Sequence, residues 1–550
     1  LTLRAASGSL VQTQPLSVEV TPPAVRLRMD YEWGQTLMDR DLPLLEEKAA
    51  FLRVHLTADP PVSLARPLRG LAYRGTSLLG ELRFTCPDPL PAATDRARLD
   101  TTCLAELPGS WVAQGLRVEL TADPEDRLRK TPDSLTQLTL TPDFAGRAWT
   151  VWPNVVRMRD PVTGDTARLI QPTAKRLVLA FLPVKEVLDR DRGIYTFPRH
   201  WRYTWEDWLD FADAVIQIQR DDLGGVIDQV HHYVGIVPTV GPAYPGEPWI
   251  GTGIGGMGVV GLANLVYLEG EDGGGSTLAH ELGHNLSLLH APCGGAASPD
   301  PGYPYPDGRI GVWNLARMDT FASGPVVRRP EDKDLMSYCG PAGISRYHYD
   351  RARAFLTRYP PERWPEYAYP LPQALRPQGA PQYLFSAWVL PDGSLRVYPL
   401  REGGSAQGEP TPYRLRARVG GEALEVPLLG TVYRAEAAEV LRLEALLPAP
   451  PEALEVVRDG TVLHRQEAGL APQTAPAAEV EEAGGLARLT WSGARYATLY
   501  HLAPDGRKTL LTQFAEGGEI AVSTEALPPG GSFLVELSDG LRVVKLPLPR

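Results

Sequence analysis

The sequence predicts a multidomain protein in which an α/β (α+β) domain is flanked by all-β sandwich (Ig-like) domains. Three observations carry this. At roughly 150 residues per domain, 550 residues suggest three or four units. Stretches with the two-residue alternation of strands dominate both ends of the chain. Between them, apolar runs of strand length interleave with segments of helical period.

Residues 1–170 read as an N-terminal β-sandwich region of one or two units. Leu16 to Val20, Phe51 to Leu56 and Leu116 to Leu120 alternate with strand period, and clusters of Pro, Gly and Asp separate them. The pattern changes at 171–370. Leu177 to Leu182 is a continuous apolar run suited to a central strand. Thr204 is a good N-cap with Asp207 three residues on, so a helix is expected from there to about Arg220. Val230 to Val237 and Val259 to Leu268 read as strands, 276–290 and 348–358 as helices. A β-sandwich follows at 371–470, with a hairpin signal at Pro391-Asp392-Gly393-Ser394. The Pro/Ala-rich stretch 470–478 reads as a linker to a small C-terminal β-sandwich at 471–550.

Hydrophobic residues make up 43% and charged residues 22%, ordinary values for a folded chain. The net charge of −11 argues against a general nucleic-acid binder, which needs a basic face. No apolar run reaches the roughly 18 residues of a membrane-spanning helix. The chain starts at Leu1 without an initiator Met, which reads as a mature chain whose leader has been removed. Four cysteines allow three pairings; joining sequence neighbours gives Cys86–Cys103 and Cys293–Cys339. Disulfides imply an oxidising compartment, and the alternative is four reduced, buried thiols.

The chemistry concentrates at 276–290, Ser-Thr-Leu-Ala-His-Glu-Leu-Gly-His-Asn-Leu-Ser-Leu-Leu-His. His280 and His284 are four apart, so a helix presents both imidazoles on one face, as tetrahedral zinc requires. Glu281 follows the first His and lies near the metal without ligating it, placed to act as a base. His290 is six residues beyond His284, about 240° away around a straight helix, so the chain must bend to make it a third ligand. The spacing H-E-x-x-H-x5-H matches the metzincin signature except that Ser287 stands where that pattern has a glycine, which accepts positive φ. Downstream lies Asp334-Leu335-Met336-Ser337-Tyr338-Cys339, like the second metzincin hallmark, a Met in a tight turn.

On these two segments the region 175–360 resembles the metzincin zinc peptidases, and its flanking cysteines and Tyr-Pro-Tyr-Pro-Asp-Gly insert at 303–308 are similar to the bacterial secreted M66 (StcE-like) peptidases. The resemblance implies a zinc ion on His280, His284 and His290, Met336 packed beneath them, and Tyr338 as a further ligand or oxyanion group. It implies hydrolysis of peptide bonds by a zinc-activated water, with Glu281 as general base. Val259 to Leu268 is then expected to be the edge strand that pairs with an extended substrate.

Other features read as structural. Gly253 to Gly258 spells G-x-G-x-x-G, but the β-like run after it suits a lip of the cleft better than a dinucleotide loop. His231 and His232 read as packing residues, and Trp201, Trp205 and Trp208 as a core helix. Asp300, Asp307 and Asp332 lack the ordered spacing of a calcium loop, so Ca2+ is an open option without support. The expectation is a secreted, monomeric zinc endopeptidase acting on a protein or glycoprotein. The rival is a surface glycan- or protein-binding adhesin with an inactive metal fold, which would have no need of Glu281.

Overall fold

A computed structural model of the chain describes residues 2–7, 10–15, 23–240, 254–270, 275–319, 324–362, 382–435, 438–468 and 475–550. The expected strand from Leu16 to Val20 lies outside these. The chain divides into two compact units, Leu1–Gly146 and Arg147–Arg550.

The first unit is β-rich. Strands Arg26–Asp39, Ala50–Asp59 and Cys103–Leu107 pair antiparallel. A second antiparallel sheet contains Gln137–Leu140, Leu116–Ala122, Leu68–Arg74 and Ser77–Leu82. Every second residue of Leu116–Ala122 is buried, the one-sided burial that its alternation predicts. Arg53 is fully buried, and its guanidinium donates to the carbonyls of Asp95, Arg96 and Arg98 at 3.0, 2.6 and 2.6 Å. The buried charge is thus satisfied by a folded loop. Cys86 and Cys103 are disulfide-bonded.

The second unit is built on one long sheet. The elements that frame the site are, in chain order, β1 (Asn154–Arg159), α1 (Pro172–Phe181), β2 (Arg190–Thr196), α2 (Trp205–Leu223), β3 (Tyr233–Val237), β4 (Gly256–Val259), β5 (Asn264–Leu268), α3 (Gly275–Asn285) and α4 (Arg346–Arg358). Further on come β6 (Glu422–Ala435) and β7 (Ala438–Leu447). The order across the sheet is β2-β1-β3-β5-β4-β6. The first four strands are parallel. β4 runs antiparallel to β5 and also pairs with β6. β6 and β7 form a hairpin, and β7 pairs with Tyr383–Val389. One continuous sheet therefore joins the strands around 154–268 to the β region after 382.

Two sequence expectations are corrected. The apolar run expected as a strand at 177–182 is helical through Phe181, with Leu182 as the extended C-cap. Pro172 occupies the first turn of α1, and Ala174, Leu177, Val178 and Phe181 are buried at the i, i+3, i+4, i+7 spacing of a helix. The stretch 259–268 is two strands around a turn at Gly261, φ +74°, and neither is an edge, because β5 lies between β3 and β4 while β4 lies between β5 and β6.

α2 starts as its sequence predicts. The Thr204 hydroxyl accepts from Asp207 N, the Asp207 carboxylate accepts from Thr204 N, and Gly224 ends the helix at φ +71°. Trp201 and Trp208 are fully buried and Trp205 is partly buried in the adjoining core. α2 packs so closely on β3 that a Cβ at Gly235 would fall 2.7 Å from Val215 and 2.9 Å from Phe211. Its buried Asp213 accepts from Arg401 and Arg442 at 2.5 and 2.7 Å, and Arg220 donates to Glu444 at 2.7 Å. These paired charges fix the helix to the downstream strands, since a buried charge left alone is strongly unfavourable.

The hairpin at Pro391 to Ser394 forms between Tyr383–Val389 and Leu395–Val397. The chain ends in two small antiparallel sheets around Leu489, Leu499, Phe533 and Val535.

Candidate metal centre

α3 carries His280, Glu281 and His284, all buried. The helix ends in a Schellman motif: Leu288 N donates to Gly283 O at 3.0 Å and Ser287 N to His284 O at 2.9 Å. Ser287 sits at φ +63°, so a serine takes the left-handed position that the bend requires. Gly261 makes room for it, since a Cβ there would lie 2.9 Å from Ser287 Oγ. The bend returns the chain toward α3 and brings in His290, which is fully buried.

The three imidazoles meet at their Nε2 atoms. Each Nδ1 faces a backbone carbonyl: His280 to Leu335 at 2.8 Å, His284 to Leu288 at 2.9 Å, and His290 to Ala297 at 2.7 Å. A carbonyl only accepts, so the proton of each neutral ring sits on Nδ1 and the lone pair on Nε2 points inward. The Nε2 atoms of His284 and His290 are 3.1 Å apart. The potential ligand atoms of the three residues all lie within 4.8 Å of one another, and among the described residues this is the one such group. Burial is the main reason that His280 is pushed down to about 4, His290 to about 3 and His284 well below the ordinary value. Neutral imidazoles with converging lone pairs are what a cation needs, and without one those lone pairs repel. The residues therefore fit a bound metal ion.

The Met336 turn holds this group from below. A Cβ at Gly283, between the two helical ligands, would meet Met336 Sδ at 2.6 Å. Asp334 organises the turn: its carboxylate accepts from Met336 N, Ser345 N, Tyr303 Oη and, at 2.9 Å, pairs with His348 Nδ1. Burial raises the Asp334 carboxyl, but His348 and these donors outweigh it and bring it to about 2. Met336 O accepts from Ala291 N, and the disulfide Cys293–Cys339 joins the two segments. The Tyr338 hydroxyl lies 2.7 Å from His290 Nε2 and 3.4 Å from Ala435 O, with its ring stacked on His280.

Glu281 is 1% exposed and lies against β4. A Cβ at Gly256 would come 2.7 Å from Glu281 Oε1, and one at Gly258 3.1 Å from Oε2. The glycines at 256 and 258 therefore serve a buried strand that accommodates a carboxylate, which corrects their reading as a cleft lip; Gly253 lies outside the described residues. No signal in the isolated sequence tied these glycines to Glu281.

The other singled-out residues fall elsewhere. His231 pairs with Asp228 at 2.7 Å, and buried His232 is pushed down to about 4 by desolvation. Asp300 accepts from Arg351 and Tyr347, Asp307 lies beside Lys333, and Asp332 accepts from Arg329 N. These three carboxylates do not group as a calcium site among the described residues. No helix among the described residues is long and apolar enough to cross a membrane.

No protein-family model matches the chain, and no curated protein matches it.

Proposed function

We propose that this protein is a secreted, zinc-dependent endopeptidase with a metzincin-like site, hydrolysing peptide bonds of proteins or glycoproteins. The observation that supports it most is the convergence of three histidines, with the buried Glu281 next to the first of them on the same helix. His280, His284 and His290 would hold the ion, and an all-nitrogen set of three suits zinc with an open fourth position. When bound, zinc supplies Lewis acidity toward water and an amide carbonyl.

The chain's own residues do the rest. The Glu281 carboxylate takes a proton from the attacking water and hands it to the leaving amine. The carbonyls of Leu335, Leu288 and Ala297 hold the histidines in one tautomer, which fixes their direction and raises their basicity as ligands. The Tyr338 hydroxyl lies within reach of both His290 Nε2, at 2.7 Å, and Ala435 O, at 3.4 Å. With an ion held by the histidines, that hydroxyl would be placed to donate to Ala435 O or to the oxyanion of a substrate. The two disulfides agree with an oxidising compartment.

The test is metal analysis of the purified protein together with hydrolysis of a panel of proteins and glycoproteins by wild type and Glu281→Ala. One zinc per chain in both proteins, with cleavage only by wild type, supports the reading. Equal, negligible cleavage by both removes the enzyme and favours a binding role for the metal fold.

A further inference from the structure

The loop at 291–300 orients His290, yet it contains no helix or strand. Such a loop keeps a carbonyl in place only if it is anchored from outside. Near its start, Cys293 is bonded to Cys339. At its end, Asp300 N donates to His290 O at 2.8 Å and its carboxylate accepts from Arg351 at 2.8 Å. The middle, where Ala297 O accepts from His290, is anchored by a residue from far downstream. Arg434 Nη1 donates to Ser298 O at 2.7 Å, and Ser298 itself is held at φ +45°.

Arg434 is well placed for this. It lies on β6 opposite Gly258 of β4, the position at which a Cβ would touch both Glu281 Oε2 and His284 Cβ at 3.1 Å. Its side chain is 11% exposed, and its Nη2 pairs with Glu439 of β7 at 2.5 Å. That pair fixes the guanidinium on its own hairpin, leaving Nη1 for the loop. The next residue, Ala435, presents the carbonyl that faces Tyr338 at 3.4 Å. Two consecutive residues of β6 thus address both flanks of His290.

We infer that Arg434 is a positioning residue of the metal centre. By anchoring Ser298 it fixes the Ala297 carbonyl, and with it the tautomer and direction of His290. The β region after residue 382 is then part of the working site and not a separate binding module. This rests on the metal reading above. Groups that orient a ligand histidine typically change metal affinity by about 10- to 100-fold when lost.

The test titrates the metal-free full chain with Zn2+ against a competing chelator and with Co2+ by visible absorption. It compares wild type, Arg434→Gln, Arg434→Lys and His284→Ala, and records the thermal midpoint of each metal-free protein. The expected result is Zn2+ binding about 10-fold weaker and an altered Co2+ spectrum in Arg434→Gln, at a metal-free midpoint close to wild type. Arg434→Lys, which still carries a donor for Ser298 O, is expected to recover most of the affinity. Wild-type affinity and spectrum in Arg434→Gln overturn the inference. If Arg434→Gln does not fold, Ser298→Pro decides by the same criteria, because the ring forces φ to about −65° and displaces the accepting carbonyl while Arg434 stays. Wild-type affinity in that variant overturns the inference too. If wild type binds Zn2+ no better than His284→Ala, it is the metal reading that fails, a separate outcome.

Discussion

The Nε2 atoms of His284 and His290 face each other at 3.1 Å, with the proton of each ring committed to a carbonyl on the opposite side. Two lone pairs at that separation are unfavourable unless a cation lies between them. This relationship turns three histidines that share a sequence pattern into a candidate ligand set.

Removing one ligand should therefore remove the metal. His284→Ala and His290→Ala are expected to purify without stoichiometric zinc, and chelation should lower the thermal midpoint of wild type but not theirs. Binding at 100 times Kd adds about 2.7 kcal/mol to folded-state stability, a shift that calorimetry resolves. The same midpoint for wild type with and without chelator would contradict this.

Gly256→Ala should separate metal binding from catalysis. Its Cβ would stand 2.7 Å from Glu281 Oε1 and push the carboxylate aside, without contact to any of the three histidines among its nearest neighbours. Displacement of a catalytic group by about 1 Å lowers turnover about 100-fold. Zinc content should be unchanged while kcat falls; loss of both together would show that β4 supports the ligands as well.

The metal-free protein should lose stability in acid. Unfolded histidine titrates near 6.5, whereas folded His280 is lowered to about 4 and His290 to about 3. Between those values the unfolded chain binds more protons than the folded one, so this contribution is fully present above about 6.5 and is lost as pH falls toward 3. Thermal midpoints of chelated protein at several pH values should drop more steeply for wild type than for His290→Gln. Parallel curves would contradict it.

Ser287 adopts φ +63°, a conformation that costs a non-glycine residue about 1 kcal/mol. Ser287→Gly should keep the metal and leave stability unchanged or raised by up to about 1 kcal/mol, part of the gain being offset by unfolded-chain entropy. Ser287→Val, β-branched and disfavoured in that region, should lower both stability and zinc affinity.

How far the sequence carried depends on how local each signal is. The i, i+4 spacing of His280 and His284 and the capping box at Thr204 and Asp207 were legible because neighbours along the chain determine them, whereas the cysteine pairs were the simplest of three pairings that the sequence left open. The run at 177–182 was misread because six apolar residues fit a buried strand or a buried helix turn equally well; Pro172, a helix-start signal, was the available clue. The turn at Gly261 was hidden inside one apolar stretch. The pairing of β4 with β6, and with it Arg434, was not legible, because no local pattern specifies which distant strand fills a sheet edge. That pairing also removes the expected free edge at 259–268.

The central claim is hydrolysis that depends on Glu281 beside the three-histidine group. Its most direct test is to digest a folded proteome with wild type and with zinc-loaded Glu281→Ala and to map new N-termini by mass spectrometry. Wild type is expected to yield a set of new N-termini that falls at least 100-fold in abundance with the variant, at equal zinc content. The same N-termini at the same abundance from both proteins, or none from either, would contradict it.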